Sequence, residues 1–205
     1  MKKLLIVLSL GILLGVGVWA VVFSRSGASG SGSVPSQAAG DSFARKLSLL
    51  TKDKEVKKAQ TVEFSQAELD GYLYHQVTPL YPKGLQDVRI QLLEGSVQAS
   101  SRLNFDEYEK AANAGKNSIL SALLSGEHTL TVFADLKTGN HEGTYDVTKL
   151  LLDDKEIPKP LVDLLIQKYV VPKYPEAKPN SPFPLPYRIE KLDLLQGKLI
   201  VRQTP

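Results

Sequence analysis

A strand that runs directly into a capped helix is the feature that most limits how this chain can fold, and it occupies 61–77. Ser65 and Glu68 have the spacing of a capping box, in which the serine hydroxyl accepts from the backbone N–H of Glu68 and the carboxylate accepts from the backbone N–H of Ser65. Phe64 and Leu69 have the spacing of a hydrophobic staple across the same boundary. The sequence therefore predicts a helix capped by Ser65.

This helix carries a single apolar face. Its apolar residues recur at the i, i+3, i+4 and i+8 positions, which are Leu69, Tyr72, Leu73 and Val77. Asp70, Gly71 and Gln76 fall largely on the other face. Because a short amphipathic helix depends on tertiary packing for its stability, the elements that follow are predicted to cover the apolar face.

Alternating apolar residues after the helix predict antiparallel hairpins. The alternation over 88–92 resumes over 97–105 beyond Gly95, a residue that readily takes the positive φ of a tight turn. The segment 90–97 recurs as 192–199, in both cases with the order strand, Leu-Leu, an acidic or amide residue, Gly, strand. The C-terminus is therefore predicted to form a second hairpin of the same kind.

A third hairpin is predicted over 129–147, with its turn at 137–140. Six or more strands in hairpins predict one strongly curved antiparallel sheet, with the helices on its concave face. The predicted fold class is therefore α+β.

Two further helices are predicted between the strands. A capping pattern at Asp106 opens one, which ends near Gly126. The other has Pro160 in its first turn and is stopped by Pro172, after which the proline-rich stretch 172–186 is predicted to be extended. The predicted buried face of this second helix is formed by Leu161, Leu164, Leu165 and Tyr169.

The N-terminus predicts a membrane segment. Leu4 to Phe23 contains no charge, and at ~1.5 Å per residue such a helix spans a ~30 Å hydrocarbon core. Lys2 and Lys3 precede the segment and only Arg25 closely follows it, which places the N-terminus in the cytoplasm and the rest of the chain outside. An uncleaved anchor and a cleaved export signal both remain open, and the length of the run favours the anchor.

The chain is divided into three parts: the membrane segment 1–23, a flexible Ser/Gly-rich linker 24–42, and an extracytoplasmic domain 43–205. The basic stretch 45–58 is consistent either with a helix that rests on anionic lipid headgroups or with a solvated helix that leads into the domain. The chain has 25 basic and 22 acidic residues, and two of the basic ones precede the membrane segment, so the remainder has a net charge of only +1. Such a balance gives no indication of a nucleic-acid partner.

No pattern of catalytic or metal-ligating residues occurs after the linker. The chain has no cysteine, and its three histidines do not have the spacing of metal ligands. His75 is interpreted as a residue at the edge of the apolar face, and Asp153 with Asp154 as an exposed turn. No catalytic residue, metal site or cofactor is predicted, and the protein is not expected to be an enzyme.

The order of these parts resembles the small bacterial envelope proteins of the tubular lipid-binding type. The resemblance rests on S-x-x-E-L-D-x-Y-L at 65–73, Leu93-Glu94-Gly95-Ser96-Val97, Gly143 before Tyr145, and Ile157-Pro158 before an apolar helix. It implies a helix wrapped by a curved antiparallel sheet that forms an apolar groove for acyl chains, and it implies no catalytic residues. Asp70 departs from the family, which usually has asparagine there.

The predicted function is binding of a membrane lipid or another long apolar ligand by a periplasmic domain tethered to the inner membrane. The alternative is an envelope scaffold or assembly factor that presents 172–186 to a protein partner, and a third possibility is a hydrolase with a polar cluster around a histidine. The residues predicted to line the ligand site are Leu69, Tyr72, Leu73, Val77, Val88, Ile90, Val97, Ala99, Val132, Leu161, Leu164 and Leu165.

Overall fold

The computed structural model describes residues 34–52, 58–81, 83–107, 125–167, 171 and 178–205. The predicted membrane segment, most of the predicted linker, nearly all of the helix predicted from Asp106 and the start of the proline-rich stretch lie outside the described residues. Within the described part of the chain, no helix is long and apolar enough to cross a membrane.

The helices are α1 (Gln37–Lys52), α2 (Gln66–Tyr72) and α3 (Lys159–Leu165). A π-helical turn, Leu73–Val77, and a 3-10 turn, Thr78–Leu80, continue α2. The strands are β1 (Gln60–Ser65), β2 (Leu85–Leu93), β3 (Ser96–Asn104), β4 (Glu127–Gly139), β5 (Glu142–Leu152), β6 (Lys155–Glu156), β7 (Phe183–Pro184), β8 (Ile189–Leu195) and β9 (Lys198–Gln203).

The fold is α+β with antiparallel sheets, as predicted, but the strands form two sheets where the sequence predicted one. The smaller sheet has the order β1-β9-β8, and the larger has the order β2-β3-β4-β5-β6, with β7 paired to β5. Among the described residues the two sheets form no common ladder, but they contact each other through the turns of their hairpins and between β4 and β8, where the Thr138 hydroxyl donates to the Leu192 carbonyl over 2.7 Å.

The turns that join the sheets belong to the recurring segments 90–97 and 192–199. The backbone N–H of Gly95 donates to the carbonyl of Leu194 over 3.1 Å, and that of Gly197 donates to the carbonyl of Leu92 over 2.9 Å. These donors and acceptors occupy equivalent positions in the two segments, so the contact is reciprocal. Gly95 and Gly197 have φ of 66° and 72°, which confirms the predicted role of glycine in both turns.

The predicted start of α2 is confirmed. Ser65 accepts from the backbone N–H of Glu68, and the Glu68 carboxylate accepts from the backbone N–H of Ser65 over 2.9 Å. The same carboxylate also accepts from the Ser42 hydroxyl over 2.6 Å and from the Lys46 ammonium over 2.8 Å. Glu68 therefore ties α1 to the cap of α2.

Helix α1, which includes 45–52 of the basic stretch, packs its apolar side into the core, so that side does not rest on lipid headgroups, and 53–57 lie outside the described residues. Its side chains Phe43 and Leu50 are buried, and the Phe43 ring lies 4.7 Å from each of the rings of Phe64 and Tyr72. The helix begins at Gln37, with the Ser36 hydroxyl accepting from the N–H of Ala39, so 37–42 is helical although the sequence predicted a flexible linker there.

Two glycines allow α1 and α2 to cross at close range. A Cβ on Gly71 would lie 2.5 Å from the Ser36 carbonyl oxygen and 2.6 Å from the Gly40 nitrogen. The side of α2 that carries Gly71 is therefore covered by α1, because the missing side chain admits the other helix. Beyond the crossing, the His75 ring is hydrogen-bonded to the Pro35 carbonyl over 2.7 Å.

The turn of the third hairpin lies at Asn140 and His141, not at 137–140. Both residues have positive φ, 53° and 64°, as a two-residue hairpin turn of type I′ requires. The strand continues through Gly139, which pairs with Glu142. The turn at Asp153 and Asp154 is exposed as predicted, and these two residues also have positive φ.

Candidate ligand-binding site

The structure brings most of the predicted lining residues into one hydrophobic core. Five of them are almost fully buried there, namely Leu69, Leu73, Ile90, Ala99 and Val132. Four others are partly buried and pack against the same core, namely Tyr72, Val77, Val97 and Leu165. These residues therefore lie together, although three of the predicted lining residues do not join this core.

Helix α3 does not bury the predicted face. Leu161 and Leu164 remain 42% and 58% exposed, whereas Val162 and Ile166 are buried in the core. Both sets fit helical spacing, so periodicity alone could not choose between them. The chain enters the helix along β5, where the N–H of Ile157 donates to the Leu150 carbonyl over 2.8 Å.

The remaining predicted lining residue, Val88, packs against a separate apolar cluster at one end of the larger sheet. We call it the end cluster, and it consists of Tyr81, Leu85, Val88, Leu103, Phe105 and Leu130. Leu130 also packs against the main core, so the two apolar regions are continuous.

Strand β2 is irregular beside the end cluster. The pairing with β3 shifts between Gln86 and Arg89, and the bulged residue Asp87 has a φ of 51°. The Asp87 carboxylate accepts from Nε of Arg102 over 2.6 Å, and Arg102 also pairs with Glu127 over 3.4 Å. These charges are therefore paired along the edge of the bulge.

Two hydroxyls in this region are buried without a hydrogen-bond partner among the described residues. They are the Tyr81 phenol, which belongs to the end cluster, and the Ser101 hydroxyl, whose residue is 3% exposed. Ser101 lies opposite Leu130 in the pairing of β3 with β4 and shares a strand face with Leu103. Burial raises the pKa of Tyr81, so its hydroxyl is a neutral hydrogen-bond donor at physiological pH.

The sequence placed Ser101 on the apolar face of its strand, but it gave no sign that the hydroxyl would lack a partner. Small inward-facing serines are common in strands and usually bond to a neighbouring backbone group. Tyr81 follows the 3-10 turn after α2 and had no periodic pattern to place it. Only the three-dimensional structure brings both hydroxyls to the same end of the sheet.

The histidines are engaged with backbone or carboxylate groups. His128 Nδ1 lies 2.5 Å from the Asp153 carboxylate, and His128 Nε2 lies 3.1 Å from the Ser125 carbonyl. Because both partners only accept, this arrangement favours the imidazolium, and the hydrogen bond that His128 donates to Asp153 raises the pKa of His128. His141 bonds the Ile189 carbonyl over 3.1 Å.

These contacts do not form a catalytic constellation. In the described residues, the histidine paired with a carboxylate has its second nitrogen on a carbonyl, which leaves no place for a nucleophile to be activated. The same residues include no group of three or more His, Cys, Asp or Glu side chains placed to hold a metal ion.

Comparison with known proteins does not assign the chain to a family. No protein-family model matches it, and no curated protein is significantly similar to it. The functional interpretation therefore depends on the contacts of the described residues.

Proposed function

We propose that this protein is anchored in a membrane by 4–23 and that its extracytoplasmic domain binds a lipid or another long apolar ligand without catalysing a reaction. In this proposal the sheets and the helices together enclose the apolar chain of the ligand. The observation that carries the proposal is the apolar surface of α3, where Leu161 and Leu164 are exposed beside a buried Val162.

A helix that is apolar on both sides is normally covered on both sides. One side of α3 is covered by the main core, and the other presents two leucines one turn apart. A ligand with a long hydrocarbon chain would gain ~0.8 kcal/mol for each methylene that such surfaces remove from water. The bilayer to which the sequence tethers the domain is a direct source of such chains.

Helix α3 follows β6, which pairs with the end of β5, and it then packs back along β5. Its first residue, Lys159, reaches the middle of that strand, where its ammonium donates to the Asp146 carboxylate and to the Val147 carbonyl over 2.8 Å each. The buried Val162 joins the main core, which is continuous with the end cluster through Leu130.

The scaffold alternative receives less support. It requires the proline-rich stretch 172–186 to be presented to a partner, but its described C-terminal part is docked on the domain. Phe183 and Leu185 are buried in the core, and the N–H of Leu185 donates to the His141 carbonyl over 2.7 Å.

Photochemical cross-linking of the full chain in vesicles tests the proposal. The vesicles contain phosphatidylglycerol with a photoreactive diazirine in one acyl chain, and cross-linked peptides are mapped by mass spectrometry. We expect cross-links within the domain, and we expect the double substitution of Leu161→Asp with Leu164→Asp to reduce their yield.

The matched control is Leu49→Asp, because Leu49 is 61% exposed on α1 and belongs to neither apolar region. This control should retain the wild-type yield. Absence of lipid cross-links to the domain, or equal loss in the control, would contradict lipid binding at α3. Cross-links to a protein partner in their place would favour the scaffold.

A further inference from the structure

The end cluster and the adjoining Ser101 hold two hydroxyl groups that have no partner among the described residues. The Tyr81 phenol and the Ser101 hydroxyl are both buried, and each can donate one hydrogen bond. Leaving a buried hydroxyl unpaired is unfavourable by about 1–3 kcal/mol, so most such groups in folded proteins have a partner. Two of them in one apolar region indicate that a polar atom of a ligand completes the site.

The surroundings indicate what kind of polar atom this is. Arg102 alternates with Ser101 along β3, so it lies on the opposite face of the strand, where it pairs with Asp87 and Glu127. The His128 ring also lies beside the cluster, 5.8 Å from the Phe105 ring, but its charge is already paired with the Asp153 carboxylate. The other side chains around the hydroxyls are apolar and would not stabilise a phosphate or a carboxylate. A neutral acceptor is therefore favoured over an anion.

A carbonyl oxygen fits these requirements better than a water molecule. A buried water usually needs about three polar partners, whereas a carbonyl oxygen has two lone pairs and brings its own apolar chain into the cluster. The bulge at Asp87 and Val88 interrupts the β2–β3 ladder next to Ser101, which leaves the strand less closely covered at this point.

We propose that the end cluster is a subsite for an acyl ester of the ligand, whose oxygens accept hydrogen bonds from the hydroxyls of Tyr81 and Ser101. This proposal depends on the proposed function and specifies the ligand as an ester lipid. The headgroup of the lipid makes no contribution to recognition at this subsite. The hydrocarbon chain contributes most of the binding free energy, and the two hydroxyls select the carbonyl.

Two probes that differ only in the carbonyl group test the subsite. They are a diester phosphatidylglycerol and its diether analogue, each with the same diazirine in the alkyl chain, in vesicles that hold the full-length protein. We expect Tyr81→Phe and Ser101→Ala each to lower the cross-linking yield of the diester about fivefold. This is the loss of affinity that corresponds to one hydrogen bond of about 1 kcal/mol. The yield of the diether should not change.

The matched controls are Tyr74→Phe and Ser100→Ala. Tyr74 is 37% exposed, and Ser100 alternates with Ser101 and so lies on the other face of β3. Both controls should behave as the wild type with either probe. If both probes cross-link equally in the wild type and in all four variants, the ester subsite is overturned while lipid binding stands. If neither probe cross-links to the domain, both proposals are overturned.

Discussion

Replacement of Glu68 by glutamine should destabilise the domain and change how its stability depends on pH. The Glu68 carboxylate is buried and accepts hydrogen bonds from Lys46, Ser42 and the backbone of Ser65. Glutamine keeps the shape and one accepting oxygen, but it removes the charge that faces Lys46. The variant therefore isolates the electrostatic part of the contact between α1 and α2.

The pKa of Glu68 gives the magnitude. Burial on its own would raise this pKa, but hydrogen bonds from Lys46, Ser42 and Ser65 outweigh burial and lower the pKa from 4.5 to about 2. A difference of this size corresponds to about 3 kcal/mol of folding free energy. Lys46 is partly exposed and screened by solvent, so we expect Glu68→Gln to cost about 2 kcal/mol at pH 7.

The sign of the pH dependence follows from the lowered pKa. The charged carboxylate stabilises the folded state fully above pH 4.5, and this contribution is lost as the pH falls towards 2. Wild type and Glu68→Gln should therefore differ most near neutral pH and converge in acid. Urea unfolding of the full chain in detergent, followed by far-UV circular dichroism from pH 7 to pH 2.5, measures this difference.

Glu63→Gln is the control for this experiment. The Glu63 side chain is 52% exposed and pairs on the surface with Lys198, so its replacement should cost less than about 1 kcal/mol. Parallel pH curves for wild type and Glu68→Gln would refute the reasoning, because they would show that the carboxylate has the same pKa in the folded and unfolded states.

Three further predictions concern the helix crossing, the end cluster and the His128 pair. Gly71→Ala should lower the free energy of unfolding by about 2–3 kcal/mol, because its Cβ would meet backbone atoms of α1 within 2.6 Å, whereas Gly139→Ala meets nothing within 4 Å and should change little in the same urea assay. Ser101→Ala should raise the free energy of unfolding of the ligand-free protein by about 1 kcal/mol, since it removes a buried hydroxyl that has no partner among the described residues. A lower free energy of unfolding in the same urea assay would contradict that assignment. The pKa of His128 is raised, so the stability that its charge contributes is complete below pH 6.5 and is lost as the pH rises through the higher pKa of the folded state. The N–H of Thr129 donates to Asp153, so its hydrogen exchange should accelerate over that pH range by more than the intrinsic rate does. The Asp153→Asn variant should not show this additional acceleration.

The sequence predicted best those features that depend on neighbours within a few residues. The capping box of Ser65 and Glu68, the glycine turns and the first-turn proline of α3 are each set by local backbone geometry. The turn at Asn140 and His141 was misplaced because glycine is the usual residue with positive φ, and here two non-glycine residues adopt it next to a glycine that does not.

Features that depend on distant partners could not be predicted in the same way. Gly71 has no side chain to show a preferred environment, so its role became visible only when α1 was placed against it. Helix α3 has apolar residues on both sides, and only its packing against the rest of the domain decides which of them enter the core. The unpaired state of the Ser101 hydroxyl likewise depends on what surrounds it, which composition and periodicity do not specify.

The recurrence of 90–97 in 192–199 has a structural role that could not be predicted from the sequence. The sequence predicted only that the two hairpins have the same kind of turn. In the structure each glycine turn donates to the carbonyl of the leucine three residues before the other glycine, so the two hairpins hold each other. The two sheets are joined at this contact, while Leu85, Leu103 and Leu130 of the end cluster lie towards the opposite end of the same strands. The hydroxyls of Tyr81 and Ser101, which have no partner among the described residues, are found at that end, beside the bulge that interrupts the β2–β3 ladder.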